Sequence, residues 1–272
     1  MSFLVNPYWY ASAGCTDTDA LAFLTATGIT DPTITSAICT LVTSMKANGT
    51  WAKCNAIYPF VGGTSFTTKF NLKSPSPSTF ELTFGGGWTF ASTGITPNGI
   101  NGYSETFLKP SAVLSANSGH LSYYSRTNSA VLNELPMGVT NAVGTSQFTL
   151  VVRRTDNSNS FRATESGGAT GFTNSTSTDS RGLTLGSITS ATSRKIYKNG
   201  TLLNTNSSNI TWSRLNGNIF IGAVNIFDQV TAGFYTNKEC AFASIGAGLT
   251  DAEAATLYTD VQTFQTTLGR QV

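Results

Sequence analysis

Lys195-Ile196-Tyr197-Lys198-Asn199-Gly200-Thr201-Leu202-Leu203 is the stretch from which the fold can be read. Two runs of β-formers flank Asn-Gly, the pair that best tolerates the positive φ needed at both central residues of a two-residue type I′ turn. A hairpin is therefore expected, with strands Arg194 to Tyr197 and Thr201 to Asn204. Similar short runs recur on both sides: Ala56 to Val61, Thr79 to Phe84, His120 to Arg126, Gln147 to Arg154, Gly182 to Leu185, Asn218 to Ile221 and Cys240 to Ile245. Gly, Pro, Asn and Ser clusters separate them. Many short strands without intervening helices predict a β-sandwich rather than βαβ units. The stretch from Asp156 to Asp179 holds Phe161 and Phe172 among Ser, Thr, Asn and Gly, and fits either two weak strands or one long loop.

Helical signals appear only at the two ends. Asp17 can cap a helix carrying Leu21, Phe23 and Leu24 that ends at Gly28. Asp31-Pro32 then supplies an N-cap and a first-turn proline, and Ile34, Ile38, Leu41, Val42 and Met45 follow at helical spacing up to Asn48-Gly49. At the other end Thr250-Asp251-Ala252-Glu253 is a capping box, with Leu257, Val261, Phe264 and Leu268 along one face. The organisation expected is an N-terminal segment and helical hairpin over residues 1–50, then a sandwich over 51–272 that ends in a helix at 250–268.

Composition agrees with this. Thr 43, Ser 30, Gly 26 and Asn 21 make up more than two-fifths of the 272 residues, which suits strands with a hydroxylated solvent face joined by tight turns. Sixteen basic against 14 acidic residues leave a net charge of +2. No basic cluster extends beyond Arg153-Arg154 and Arg194-Lys195, so nucleic acid is not an expected partner. No apolar run approaches the length of a membrane span, and membrane insertion is not expected. MSFLVNPYWY lacks a basic n-region and a long apolar core, so no export signal is expected. Cys15, Cys39, Cys54 and Cys240 have no C-x-x-C spacing and are expected as buried thiols; with one histidine in the chain, no metal site is expected.

Several stretches carry a resemblance. Ala56-Ile57-Tyr58-Pro59-Phe60-Val61-Gly62-Gly63, Asn98-Gly99-Ile100-Asn101-Gly102-Tyr103, Ile196 to Leu203 and Ile219-Phe220-Ile221-Gly222 together resemble a laminin-G or concanavalin-A-like jelly roll. Phe242-Ala243-Ser244-Ile245-Gly246 followed by Leu249 to Tyr258 looks like the last strand and trailing helix of the laminin-G-like type. The whole, with its end Thr266-Thr267-Leu268-Gly269-Arg270-Gln271-Val272, is similar to structural proteins of tailed phages. The resemblance implies a mainly β jelly roll in a non-enzymatic virion protein. Such a protein is made in the host cytoplasm and displayed on the particle surface as fibre, appendage or capsid decoration. Its implied partners are other virion proteins, further copies of itself and a host surface glycan. The free lectin-like module is the alternative reading, and a glycan-cleaving enzyme the next.

The enzymatic branch of that family carries E-x-D-x-x-E on one strand, placing carboxylates toward one groove. None of Glu81, Glu105, Glu134, Glu165, Glu239 or Glu253 has an Asp two residues later, so that activity does not carry over. Many members bind calcium through loop Asp and Asn, but no matching string stands out and no cofactor is expected. His120, the lone imidazole, opens a strand whose alternation sets His120, Ser122 and Tyr124 on one face and Leu121, Tyr123 and Ser125 on the other. No nucleophile elbow accompanies it, and a structural histidine outweighs a catalytic one. Gly85-Gly86-Gly87-Trp88 leads into no helix and reads as a turn or close backbone approach rather than a phosphate cradle.

Sugar binding exploits aromatic faces ringed by amides and hydroxyls. Trp88, Tyr103, Tyr124 and Trp212, near turns or on outward faces, form with His120 the candidate glycan-contacting set. Phe3, Val5, Tyr8, Trp9 and Tyr10 make the N-terminus adhesive, and are the candidate contacts with a neighbouring subunit, with the hairpin behind them a candidate anchor.

Overall fold

The computed structural model describes residues 14–165, 168–212, 214–229 and 231–272. Two sheets stack as a sandwich. The first runs, in spatial order, Thr201–Asn206, Ser193–Lys198, Gly182–Ser190, Gly119–Ser125, Cys240–Gly246, Gly94–Pro97 and Trp88–Ala91, and Cys54–Tyr58 also pairs with Cys240–Gly246. The second runs Phe172–Thr176, Ser158–Thr164, Gln147–Val151, Met137–Thr140, Phe220–Ile221, Tyr103–Glu105 and Thr83–Gly85. Against it lies the small hairpin Val224–Ile226 and Thr231–Gly233, whose first strand runs parallel to Met137–Thr140, the parallel exception among otherwise antiparallel pairs. The fold is a mainly β jelly roll.

The Asn-Gly hairpin forms as its residues require: Asn199 and Gly200 have φ of 49° and 75°, and Lys198 pairs with Thr201. The undecided stretch contains two paired strands, Ser158–Thr164 and Phe172–Thr176. Between the sheets, Leu121, Tyr123, Ile188, Ile196 and Ile245 of the first meet Phe148, Leu150, Phe161 and Val139 of the second. Gly186 lets the sheets close there, because a Cβ on it would lie 2.1 Å from the Phe161 ring.

The other face of the first sheet is buried as well. Helices Thr18–Thr27, Pro32–Ala47 and Asp251–Thr267 start at the side-chain caps Asp17, Asp31 and Thr250. Their Phe23, Leu41, Val42, Leu257, Val261 and Phe264 pack on Tyr124, Leu183, Leu185, Tyr197 and Phe242 in one cluster. Each such side chain contributes about 1.5–3 kcal/mol of burial free energy. The molecule thus has three layers, helices on sheet on sheet; the outer face of the second sheet is partly covered by Leu135 and Val224 over Val151 and leaves a groove beside Tyr103–Glu105.

Two expectations need correction. Cys15 and Cys39 form a disulfide rather than separate thiols, because the helix Pro32–Ala47 brings Cys39 back against the segment preceding the first helix, at a Cα separation of 5.7 Å. Periodicity within either segment could not register that pairing. Cys54 and Cys240 are the buried free thiols expected, and burial pushes Cys54 up to about 12 and Cys240 well above the usual thiol range. Trp212 does not face outward: it is fully buried and stacks on Phe148 with ring centroids 4.4 Å apart. Phe3, Val5, Tyr8, Trp9 and Tyr10 lie outside the described residues.

Candidate functional site

Strands Thr83–Gly85, Tyr103–Glu105 and Phe220–Ile221 are neighbours in the second sheet, with Gly85 opposite Tyr103 and Glu105 opposite Phe220. Alternation along Tyr103–Glu105 sends Ser104 inward, where it is fully buried, and leaves Tyr103 and Glu105 half-buried on the open face. Gly85 keeps the Tyr103 ring close to the sheet, since a Cβ there would come within 2.5 Å of Cζ. The ring stacks on Phe220 at 5.0 Å and 18°, forming an apolar shelf across two strands.

Trp88 acts from the side. Its Nε1 donates to the carbonyls of Gly85 and Tyr103, both at 3.0 Å, so the half-buried indole ties the two strands that carry the shelf. The small hairpin adds Asn225 and Ala232, and the segment after it Tyr235, closing a groove of about 400 Å³ that opens to solvent. Burial and the adjacent Tyr103 hold the Tyr235 phenol above its ordinary range, and its hydroxyl donates to the Ala232 carbonyl at 2.9 Å.

Beside the shelf runs a polar chain. Asn225 Nδ2 donates to the Asn218 carbonyl at 2.8 Å, and Asn218 Nδ2 donates to Glu105 Oε1 at 2.5 Å. Asn218 Oδ1 has no partner among the described residues. Phe107 and Phe234 sit in the segments that supply the groove, between Glu105 and Lys109 and between Ala232 and Tyr235. Both have φ of 56°, and they are 49% and 46% exposed, so two large apolar side chains stand in solvent on backbone that disfavours them. Strain of this kind gathers at binding sites.

Of the sequence candidates, the structure brings Tyr103 into this groove and sets Trp88 behind it. His120, Tyr124 and Trp212 are all fully buried and offer no face to a sugar, which corrects their assignment as contacts. His120 lies on the helix-covered side of the first sheet, where Nδ1 is 2.6 Å from the Ala247 carbonyl and Nε2 is 3.0 Å from Ser244 Oγ. Burial lowers its pKa to about 4, so the ring is neutral at pH 7. Tyr124 donates to Gln262 Oε1 of the last helix at 2.9 Å. Glu105, Asn218, Phe220, Asn225 and Tyr235 were missed by sequence reading. The one signal for them was aromatic and amide residues beside short β-runs.

No protein-family model matches this chain, and no curated protein matches it. Solved structures match in fold at low identity. A mutant Trypanosoma rangeli sialidase displaying trans-sialidase activity is 8% identical with a TM-score of 0.51, over 84% of this chain and 39% of its own. Domain 4 of AbnA, an extracellular arabinanase from Geobacillus stearothermophilus solved with arabinotriose, is 17% identical with a TM-score of 0.48, over 75% of this chain and 98% of its own. The CBM40 of the Ruminococcus gnavus IT-sialidase, bound to α2,3 sialyllactose, is 15% identical with a TM-score of 0.38, over 53% of this chain and 82% of its own. This chain spans well under half of the sialidase, and the likeness is one of fold.

Proposed function

We propose that this chain is a non-enzymatic glycan-binding protein whose ligand lies in the groove of the second sheet. One observation carries the reading: the Tyr103–Phe220 shelf stands beside the Glu105–Asn218–Asn225 chain in an open groove. An aromatic face stacks on the C–H face of a sugar ring while amide and carboxylate oxygens take its hydroxyl groups. Glu105 is the one carboxylate among the described residues that line the groove, whereas glycoside cleavage commonly uses two.

The further reading, a component of a tailed-phage virion surface assembled with other virion proteins and with copies of itself, is supported by the resemblance of its segments to such proteins. The Cys15–Cys39 disulfide suits a place of action outside the reducing cytoplasm, in a virion or a free lectin-like module alike. Copy number in gradient-purified particles, measured by mass spectrometry, separates these two, and absence from particles overturns the virion reading. Titration calorimetry against a panel of oligosaccharides tests the groove. Tyr103→Ala is expected to weaken binding of any responding sugar at least tenfold with the fold retained, and unchanged affinity would refute the assignment.

A further inference from the structure

The groove also bears on what kind of sugar enters, an inference that rests on the glycan reading above. Its polar side is rich in acceptors. Glu105 gives one carboxylate oxygen to Asn218 and keeps the other uncommitted, while Asn225 uses its Nδ2 on the Asn218 carbonyl and leaves its Oδ1 uncommitted among the described residues. Asn218 Oδ1, buried behind them, has no donor among the described residues and lies out of a ligand's reach. The amide orientations are fixed by the chain itself: flipping Asn218 would set its Oδ1 against the Glu105 carboxylate. The Glu105 and Asn225 oxygens that reach the groove are open to a donor from a ligand.

A saccharide hydroxyl group is such a donor, and a sugar carboxylate is not. An acidic sugar placed here would set its carboxylate against Glu105 and Asn225 Oδ1, with partial desolvation raising the cost. Lys109, the one cation among the described lining residues, is exposed and makes no hydrogen bond or ion pair with this chain of groups, so solvent and salt screen it. We infer that the groove selects a neutral saccharide, whose adjacent hydroxyl groups donate to Glu105 and Asn225 while its apolar face lies on Tyr103, and that it rejects acidic sugars.

The test uses the full chain in calorimetry, run both with EDTA and with added calcium, and matched neutral and acidic probes: lactose against 3′-sialyllactose, and chitotriose against a hyaluronan tetrasaccharide. Maltotriose and arabinotriose extend the neutral set. The expected result is binding of at least one neutral probe, at least tenfold tighter than any acidic one. Glu105→Gln, which removes the charge and one acceptor, should weaken it about tenfold. Deoxy analogues of the bound sugar read the same contacts without a variant, and loss of a donating hydroxyl should also weaken binding about tenfold. Preference for the acidic partner, dependence on calcium, or indifference to both Glu105→Gln and deoxygenation would overturn the inference while leaving glycan binding in place. Silence of every probe would instead remove the glycan reading, and this inference with it.

Discussion

Acidification should destabilise this protein partly through its one histidine. His120 is buried with a pKa of about 4, against 6.5 for a free imidazole, and burial is the cause. The unfolded chain therefore binds a proton more readily than the folded one at any pH between these values. His120 imposes no penalty above about pH 6.5, and the loss of stability grows as pH falls toward 4. Two and a half units correspond to about 3 kcal/mol by pH 4. Glu134 and Asp260, whose carboxyls burial raises, oppose this by holding protons in the folded state. The informative quantity is therefore the difference between native protein and His120→Gln in urea unfolding from pH 7.5 to pH 4. That difference should change by about 3 kcal/mol across the range, with the variant the less sensitive. Because the chain has one histidine, its ring nitrogens can also be followed by NMR without assignment. Parallel pH profiles, or a ring that titrates near 6.5 in the folded protein, would refute the reasoning.

Phe107→Asn should raise thermal stability, by about 0.5–1 kcal/mol, because asparagine tolerates the φ of 56° better than phenylalanine. A fall in melting temperature would count against strain at this position. Reducing the Cys15–Cys39 disulfide, which closes a separation of 24 residues, should cost about 3 kcal/mol in thermal unfolding with and without dithiothreitol. Cys54 and Cys240 should resist iodoacetamide until the protein unfolds, since both are buried with raised pKa values; rapid alkylation of the native protein would contradict their placement.

Local chemistry was legible in the sequence. Asn199-Gly200, the caps Asp17 and Asp31 and the Thr250–Glu253 box all formed as read, since each depends on a few adjacent residues. The alternation along His120 to Ser125 also held, with Tyr124 under the helices and Leu121 and Tyr123 between the sheets. Strands such as Trp88–Ala91, Tyr103–Glu105 and Met137–Thr140 escaped because three or four residues carry no measurable period. The groove escaped for a related reason. Its central contact joins Glu105 to Asn218 across 113 positions, and only sheet pairing reveals that they meet. Trp212 misled because an aromatic in an irregular segment gives no sign of which way it turns.

The centre of the first sheet is covered by helices on one side and by its partner sheet on the other, while its edge strand Thr201–Asn206 stays largely exposed. Variation at that centre is constrained by packing, whereas the half-buried side chains that face the groove, such as Tyr103 and Glu105, can change with less disturbance of the core. The architecture separates a rigid chassis from a rewritable palm. New specificities could be grafted by altering the palm alone.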